Sequence, residues 1–172
     1  MNYLYVFCVL FGLVSCKAKS SLNTAIAGTV ERDICPENGV CTYDIIEDKA
    51  LKVKIDNLGS TYVEMVDSNR FIVKFEYKKN QSSKYQDSGY REEVFIELDK
   101  NNLEFETNNL KFKKLFFARW CYCKGETGYY RINQGKLSII KIDKNNFKLH
   151  LTFTVNEVPQ IINEINHTFS LQ

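Results

Sequence analysis

The stretch NFKLHLTFTV, residues 146–155, decides the fold: Phe147, Leu149, Leu151, Phe153 and Val155 alternate with Lys148, His150, Thr152 and Thr154. Successive side chains of a β-strand point to opposite faces, so strict alternation describes a half-buried strand with one face on a core and one in water. The same pattern recurs at Leu51, Val53 and Ile55, set against Lys52, Lys54 and Asp56, and at Phe71, Val73, Phe75 and Tyr77, set against a mostly polar row with Lys74, Glu76 and Lys78. Alternation of this regularity belongs to antiparallel sheets, whose two faces differ.

Working outward, further strands are expected at 60–66, 91–98, 112–123, 128–133 and 136–142, separated by polar turns. The longest connection, KNQSSKYQDSGY at 79–90, reads as a loose loop. ELDKNNLEFE at 97–106 and KIDKNNFKLH at 141–150 each place Asp-Lys-Asn-Asn between apolar strands, and shared turn chemistry explains the likeness. Only the chain end breaks the period. Val158, Ile161, Ile162, Ile165 and Phe169 recur at helical spacing, Asn156 suits a cap, and Pro159 falls in the first turn. The expectation is therefore a mainly β fold: a single antiparallel β-sandwich, or a curved barrel-like sheet, of about eight to ten strands, with a short C-terminal helix and room for a last short strand after it.

Residues 1–15, MNYLYVFCVLFGLVS, carry no charged side chain, and the run is shorter than the ~20 apolar residues of a membrane-spanning helix. It fits the apolar region of an export signal, with small Ser15 before the cut. Leu13-Val14-Ser15-Cys16 resembles the lipobox of bacterial lipoproteins. That resemblance implies cleavage before Cys16 and acylation of its thiol, palmitate among the chains, so that the membrane becomes a partner through the lipid. Residues 16–34, the lipidated cysteine and the small, polar segment after it, then read as a flexible tether, and residues 35–172 as one β-rich domain.

With 23 basic and 21 acidic side chains the formal charge is +2, a near-neutral balance that excludes nucleic acid as the partner class. Beyond Cys8 and Cys16 four cysteines remain, Cys35, Cys41, Cys121 and Cys123, and an even number in an exported chain reads as disulfides. Their spacings do not match the paired thiolates of a zinc site, and no metal is expected. Three pairings are open. Asn38-Gly39 could turn Cys35 back onto Cys41, leaving Cys121 to Cys123 in a tight, easily reduced pair. The pairing taken forward joins the early cysteines to the late ones, closing a loop of about eighty residues and contributing ~4 kcal/mol.

Catalytic residues are not indicated. His150 and His167 are lone surface histidines, and Glu92-Glu93, Glu97 and Asp99 read as a charged solvent face, without the contrasting environments that acid–base pairs require. The densest segment is LFFARWCYCKGETGYYRINQG, residues 115–135, with the sole tryptophan. Apolar residues on both faces of its strand imply burial on two sides, or one covered face and one that offers aromatics to a ligand. The candidate binding surface is Arg119, Trp120, Tyr122, Tyr129 and Tyr130. A reactive Cys121/Cys123 dithiol lacks the helix terminus that lowers a thiol pKa.

The leader, CPENGVC at 35–41, CYCKGETGYYRINQGKLSI at 121–139 and LHLTFTVNEVPQIINEIN at 149–166 together resemble a group of flavobacterial and related Bacteroidota lipoproteins. The resemblance implies an envelope address; without acidic residues after Cys16, the side implied is the outer membrane facing the periplasm. The function expected is a non-enzymatic binding or structural module for an envelope protein or small ligand, with no cofactor. The alternative is an envelope thiol/disulfide oxidoreductase using Cys121 and Cys123. The sequons Asn80-Gln81-Ser82 and Asn166-His167-Thr168 keep a secreted eukaryotic protein in view.

Overall fold

The computed structural model describes residues 35–81 and 89–171. The leader, Cys16 and the tether lie outside the described residues, as do positions 82–88 of the long loop. Nine strands are present among the described residues: β1 (Gly39–Ile55), β2 (Thr61–Lys79), β3 (Tyr90–Asp99), β4 (Phe105–Thr107), β5 (Leu115–Cys121), β6 (Gly128–Arg131), β7 (Gln134–Lys141), β8 (Asn146–Thr154) and β9 (Glu164–Ser170). They form a five-stranded sheet in the order β1-β2-β3-β5-β6 and a four-stranded sheet in the order β4-β7-β8-β9, antiparallel throughout. The two sheets make a sandwich, and neither closes into a barrel.

The alternating rows meet inside. Phe71, Val73, Phe75 and Tyr77 of β2, Val94 and Ile96 of β3 and Leu115 and Phe117 of β5 pack against Leu137 and Ile139 of β7 and Leu149, Leu151 and Phe153 of β8. Full burial of each large side chain contributes about 1.5–3 kcal/mol, which makes this layer the main source of stability. The two DKNN turns share one device: Asp99 Oδ1 accepts the Asn101 N–H at 2.9 Å, and Asp143 Oδ1 accepts the Asn145 N–H at 3.1 Å.

The 60–66 and 71–77 candidates are parts of one long strand, β2. Its hairpin with β1 breaks register between Glu47 and Lys49, where Asp48 takes φ 55°. A bulge bends a strand pair. Beyond it the hairpin becomes an arm, residues 49–66, folded across the outer face of its own sheet. Two observations place it there. β2 touches β6 although β3 and β5 separate them in the sheet. Leu51 donates its N–H to Glu97 Oε2 at 2.7 Å and accepts Lys114 Nζ on its carbonyl at 3.1 Å. Leu51 packs there on Ile72, Phe95, Phe116 and Ala118, a second, smaller core. The expected strand 112–123 is shorter, since Leu110–Phe112 forms a 3₁₀ turn, and residues 115–119 of β5 are buried on both faces.

The C-terminal helix is not formed. Ile165 and Phe169 belong to β9, which pairs with β8 from Asn146↔Ser170 to Thr152↔Glu164. Ile165, His167 and Phe169 share a face at strand period, so the apolar spacing that suits a helix also suits a strand. The open edge of β8 offers backbone partners that decide between the two. Before β9, Gln160 replaces helical hydrogen bonds: its Oε1 accepts the Val155 N–H at 2.6 Å, and its Nε2 donates to Ile162 O at 2.9 Å. His167 is not a solvated surface histidine; it stacks on Tyr43 of β1 with ring centroids 3.7 Å apart.

Candidate functional site

The register of the five-stranded sheet sorts its outer face into rows. Ile72 stands beside Glu97; next come Asp44, Lys74, Phe95 and Phe116; then Thr42, Glu76, Glu93, Ala118 and Tyr129; last, at the end where residue 39 enters, Val40, Lys78, Arg91 and Trp120. Glu93 and Glu97 in these rows do not face solvent, contrary to the sequence expectation: Glu93 is 6 % exposed and Glu97 5 %. The arm that covers Glu97, and the Lys74 and Trp120 side chains that close on Glu93, are tertiary features that local patterning does not carry.

Each buried carboxylate has partners. Glu97 meets Arg70 at 3.2 Å and Lys114 at 3.2 Å besides the Leu51 N–H. Glu93 meets Lys74 Nζ at 2.8 Å and accepts from Trp120 Nε1. Burial pushes the Glu93 carboxyl up, but the Lys74 and Trp120 hydrogen bonds and the Lys74 and Arg91 charges outweigh it and hold the group below the usual carboxylate range. On the inner face Glu92 is fully buried, and it accepts the Tyr90 hydroxyl, the Ile161 N–H at 2.7 Å and the Ile162 N–H at 2.8 Å. Burial, then the hydrogen bond to Glu92, pushes the Tyr90 phenol up to about 12. Glu92 thus fastens the 155–163 crossover to β3.

The five residues expected to form one binding surface divide between two faces. Arg119 is 7 % exposed and belongs to the interior, with Glu126 Oε2 at 2.6 Å and the Tyr90 hydroxyl at 3.3 Å. Tyr130 packs on Phe117 inside the sandwich. Tyr129 lies on the outer face against Phe95 and edge-on to Trp120, 5.3 Å between centroids. Trp120 and Tyr122 alone reach the cleft at the sheet end, a space of about 430 Å³ lined also by Lys78, Tyr90, Arg91 and Cys121. Tyr122 is 88 % exposed there.

Lys78 and Arg91 are the members that sequence reasoning missed. They stand directly opposite each other, a like-charge pair that weakens a sheet. Finding them required the β2–β3 register, which a twelve-residue loop reading of 79–90 does not supply. Among the described residues no carboxylate lines the cleft beside them, and Arg91 instead pairs with Glu93 of the next row. Lys78 makes no ion pair among the described residues, Arg91 lies 3.7 Å from Glu93 Oε2, and Arg91 Nε is buried without a hydrogen-bond partner. The Arg91 guanidinium lies 5.7 Å from the Trp120 ring centroid, within cation–π range.

The cysteines correct the long-range pairing. Cys35 lies at disulfide distance from Cys41, and Cys121 from Cys123, with Cα separations of 5.8 and 5.2 Å. Cys41 and Cys121 sit on β1 and β5, with β2 and β3 between them; three strand spacings of about 4.8 Å exceed the reach of a disulfide. The Asn38-Gly39 turn begins β1, where a Cβ on Gly39 would stand 2.2 Å from the Tyr77 ring. Cys123 lies past the end of β5, so the second pair closes a loop at the strand tip and presents Tyr122 outward.

Among the described residues no group of three or more His, Cys, Asp or Glu side chains could hold a metal ion, and no helix is long and apolar enough to cross a membrane. Comparison with protein-family models, curated proteins and solved structures returns no match for this chain.

Proposed function

We propose that the chain is a non-enzymatic module of the bacterial envelope, anchored through acylated Cys16 and binding a partner at the sheet-end cleft of Lys78, Arg91, Trp120 and Tyr122. The carrying observation is the cleft itself, which brings Lys78, without an ion pair among the described residues, beside Arg91 and an exposed tyrosine. An exposed tyrosine beside two like-charged cations adds little to folding and suits recognition. The buried carboxylates Glu92, Glu93 and Glu97 are engaged by neighbouring cations and N–H groups. Intact mass spectrometry of the native protein tests the anchor: the expected mass carries acyl chains on Cys16 and two disulfides. A photoreactive residue at position 122 tests the surface, with crosslinks expected in the envelope and none expected from a control at exposed Leu58.

A second reading, thiol–disulfide exchange at Cys121–Cys123, is favoured by one observation, the position of that pair on a solvent-facing strand tip beside Tyr122 and Lys124. It predicts that mild dithiol reduces this pair before Cys35–Cys41, whose sulfurs pack against the main core. Equal resistance of both pairs contradicts it.

A further inference from the structure

The sheet end that carries the cleft is also the end at which the chain enters the domain. Gly39 of β1, Lys79 of β2, Tyr90 of β3 and Cys121 of β5 all lie there, by the register of the sheet. Residues 17–34 separate Cys16 from Cys35, and an extended segment of that length spans at most about 60 Å. An acyl anchor on Cys16 therefore keeps this corner within reach of the membrane surface. We infer that the partner of the cleft is that surface: Tyr122 and Trp120 enter the headgroup layer, and Lys78, Arg91 and Lys124 meet lipid phosphates. The inference rests on the tethered-module reading.

The chemistry of the corner fits this occupant on three counts. Tyrosine and tryptophan favour the boundary between headgroups and acyl chains, because each has an apolar body and a polar tip. Val40, 57 % exposed, extends the row on the other side of Lys78. Among the described residues the charges are of one sign: no described carboxylate lines the cleft or the adjoining cleft of Cys121, Tyr122, Cys123 and Lys124. Glu37 is the exposed acid near the chain entry, and Glu126 is held by Arg119. Arg91 has a planar fork suited to phosphate, and its side chain is partly exposed. An anionic headgroup supplies the acceptors that the like-charged row lacks. Docking would hold the domain in one orientation on a membrane from which the lipid alone lets it swing.

The test uses the full mature chain in two forms, acylated and with Cys16→Ser. Trp120 is the sole tryptophan, so its emission reports this corner alone. In vesicles of phosphatidylethanolamine and phosphatidylglycerol that contain brominated lipid, the acylated chain should show quenched Trp120 emission. Tyr122→Ser and Lys78→Ala should restore it. The Cys16→Ser chain should float with the same anionic vesicles and not with phosphatidylcholine vesicles. Its binding should weaken about fivefold with Lys78→Ala and further with added salt. Unquenched Trp120 in an acylated, vesicle-bound chain overturns docking and leaves the anchor standing. Native protein without acyl mass overturns the anchor, and flotation of the Cys16→Ser chain then judges the docking by itself. Crosslinks from position 122 to an envelope protein in place of lipid also overturn it.

Discussion

Two clefts of about 430 Å³ each sit on the five-stranded sheet and its rim, and they treat charge in opposite ways. In the first, Arg70, Lys113 and Lys114 share the space with Glu97 and Asp99, and Lys113 Nζ lies over the Phe105 ring at 3.8 Å. Its cations have been matched, two of them to the buried Glu97 carboxylate that also accepts the Leu51 N–H of the arm. In the second, Lys78 and Arg91 face each other with no carboxylate in the lining among the described residues. A matched cleft stabilises the fold. An unmatched one destabilises it slightly, and the binding role proposed above would account for its retention.

The largest effect expected lies beside the unmatched cleft, at the latch that closes the sandwich end. Glu92→Ala leaves two backbone N–H groups and the Tyr90 hydroxyl without an acceptor, and should destabilise the domain by about 3 kcal/mol. Thermal unfolding should drop by roughly 10 °C. Gln at this position should recover part of the loss, since one oxygen remains. A change under about 1 kcal/mol would show that the crossover is held by its apolar side chains alone.

Glu97→Gln in the matched cleft should follow, at about 2 kcal/mol by urea unfolding, because Arg70, Lys114 and the Leu51 N–H share one carboxylate. Vesicle binding should not change. If it weakens as much as stability does, the two clefts are not separate in function.

A smaller effect depends on pH. The folded Glu93 carboxyl lies below its ordinary 4.5, so it contributes stability above that value, and the contribution fades as pH falls through the lowered folded value. Urea midpoints measured downward from pH 5 should decline, and the decline should be shallower in Glu93→Gln. Its partner Lys74 is raised, although burial opposes the shift, because Glu93 and Glu76 favour the charged form. That share is present below pH 10.5 and is lost as pH rises through the folded value.

The smallest stability change sharpens the comparison most. Lys78→Glu removes a like-charge opposition and places an acid across from Arg91, which should stabilise the sheet by about 0.2–1 kcal/mol. The same substitution should abolish binding at the corner. Stability gained with binding lost is the signature of a residue retained for recognition; binding unchanged would assign Lys78 no such role.

What the sequence made legible follows from the range of each interaction. Strand period comes from the backbone itself, so Phe71–Tyr77 and Phe147–Val155 declared their inner faces without any partner in view. Asp99 and Asp143 declared their turns because each side chain bonds a backbone N–H two residues on. The failures are contacts between distant segments. Glu97 looked solvent-facing because the arm of residues 49–66 covers it from elsewhere in the chain, and Glu93 because Lys74 and Trp120 close on it across the sheet. Ile165 and Phe169 suited a helix until the edge of β8 was available. At the candidate site, Trp120 and Tyr122 were visible as a local cluster, whereas Arg119 and Tyr130 turned inward by strand parity. Lys78 and Arg91 required a register that no local pattern states. The cysteine pairing failed for a related reason: the intervening strands β2 and β3 set the distance.

The most direct test of the account is amine labelling of the native protein on its own membrane, compared with the same protein released in detergent. Lys78 and Lys124 should be protected on the membrane and become reactive on release, while Lys113 and Lys114 at the matched cleft should label equally in both. Equal labelling of all four lysines in the two states would contradict the assignment of the Lys78–Arg91–Trp120–Tyr122 corner as the binding surface.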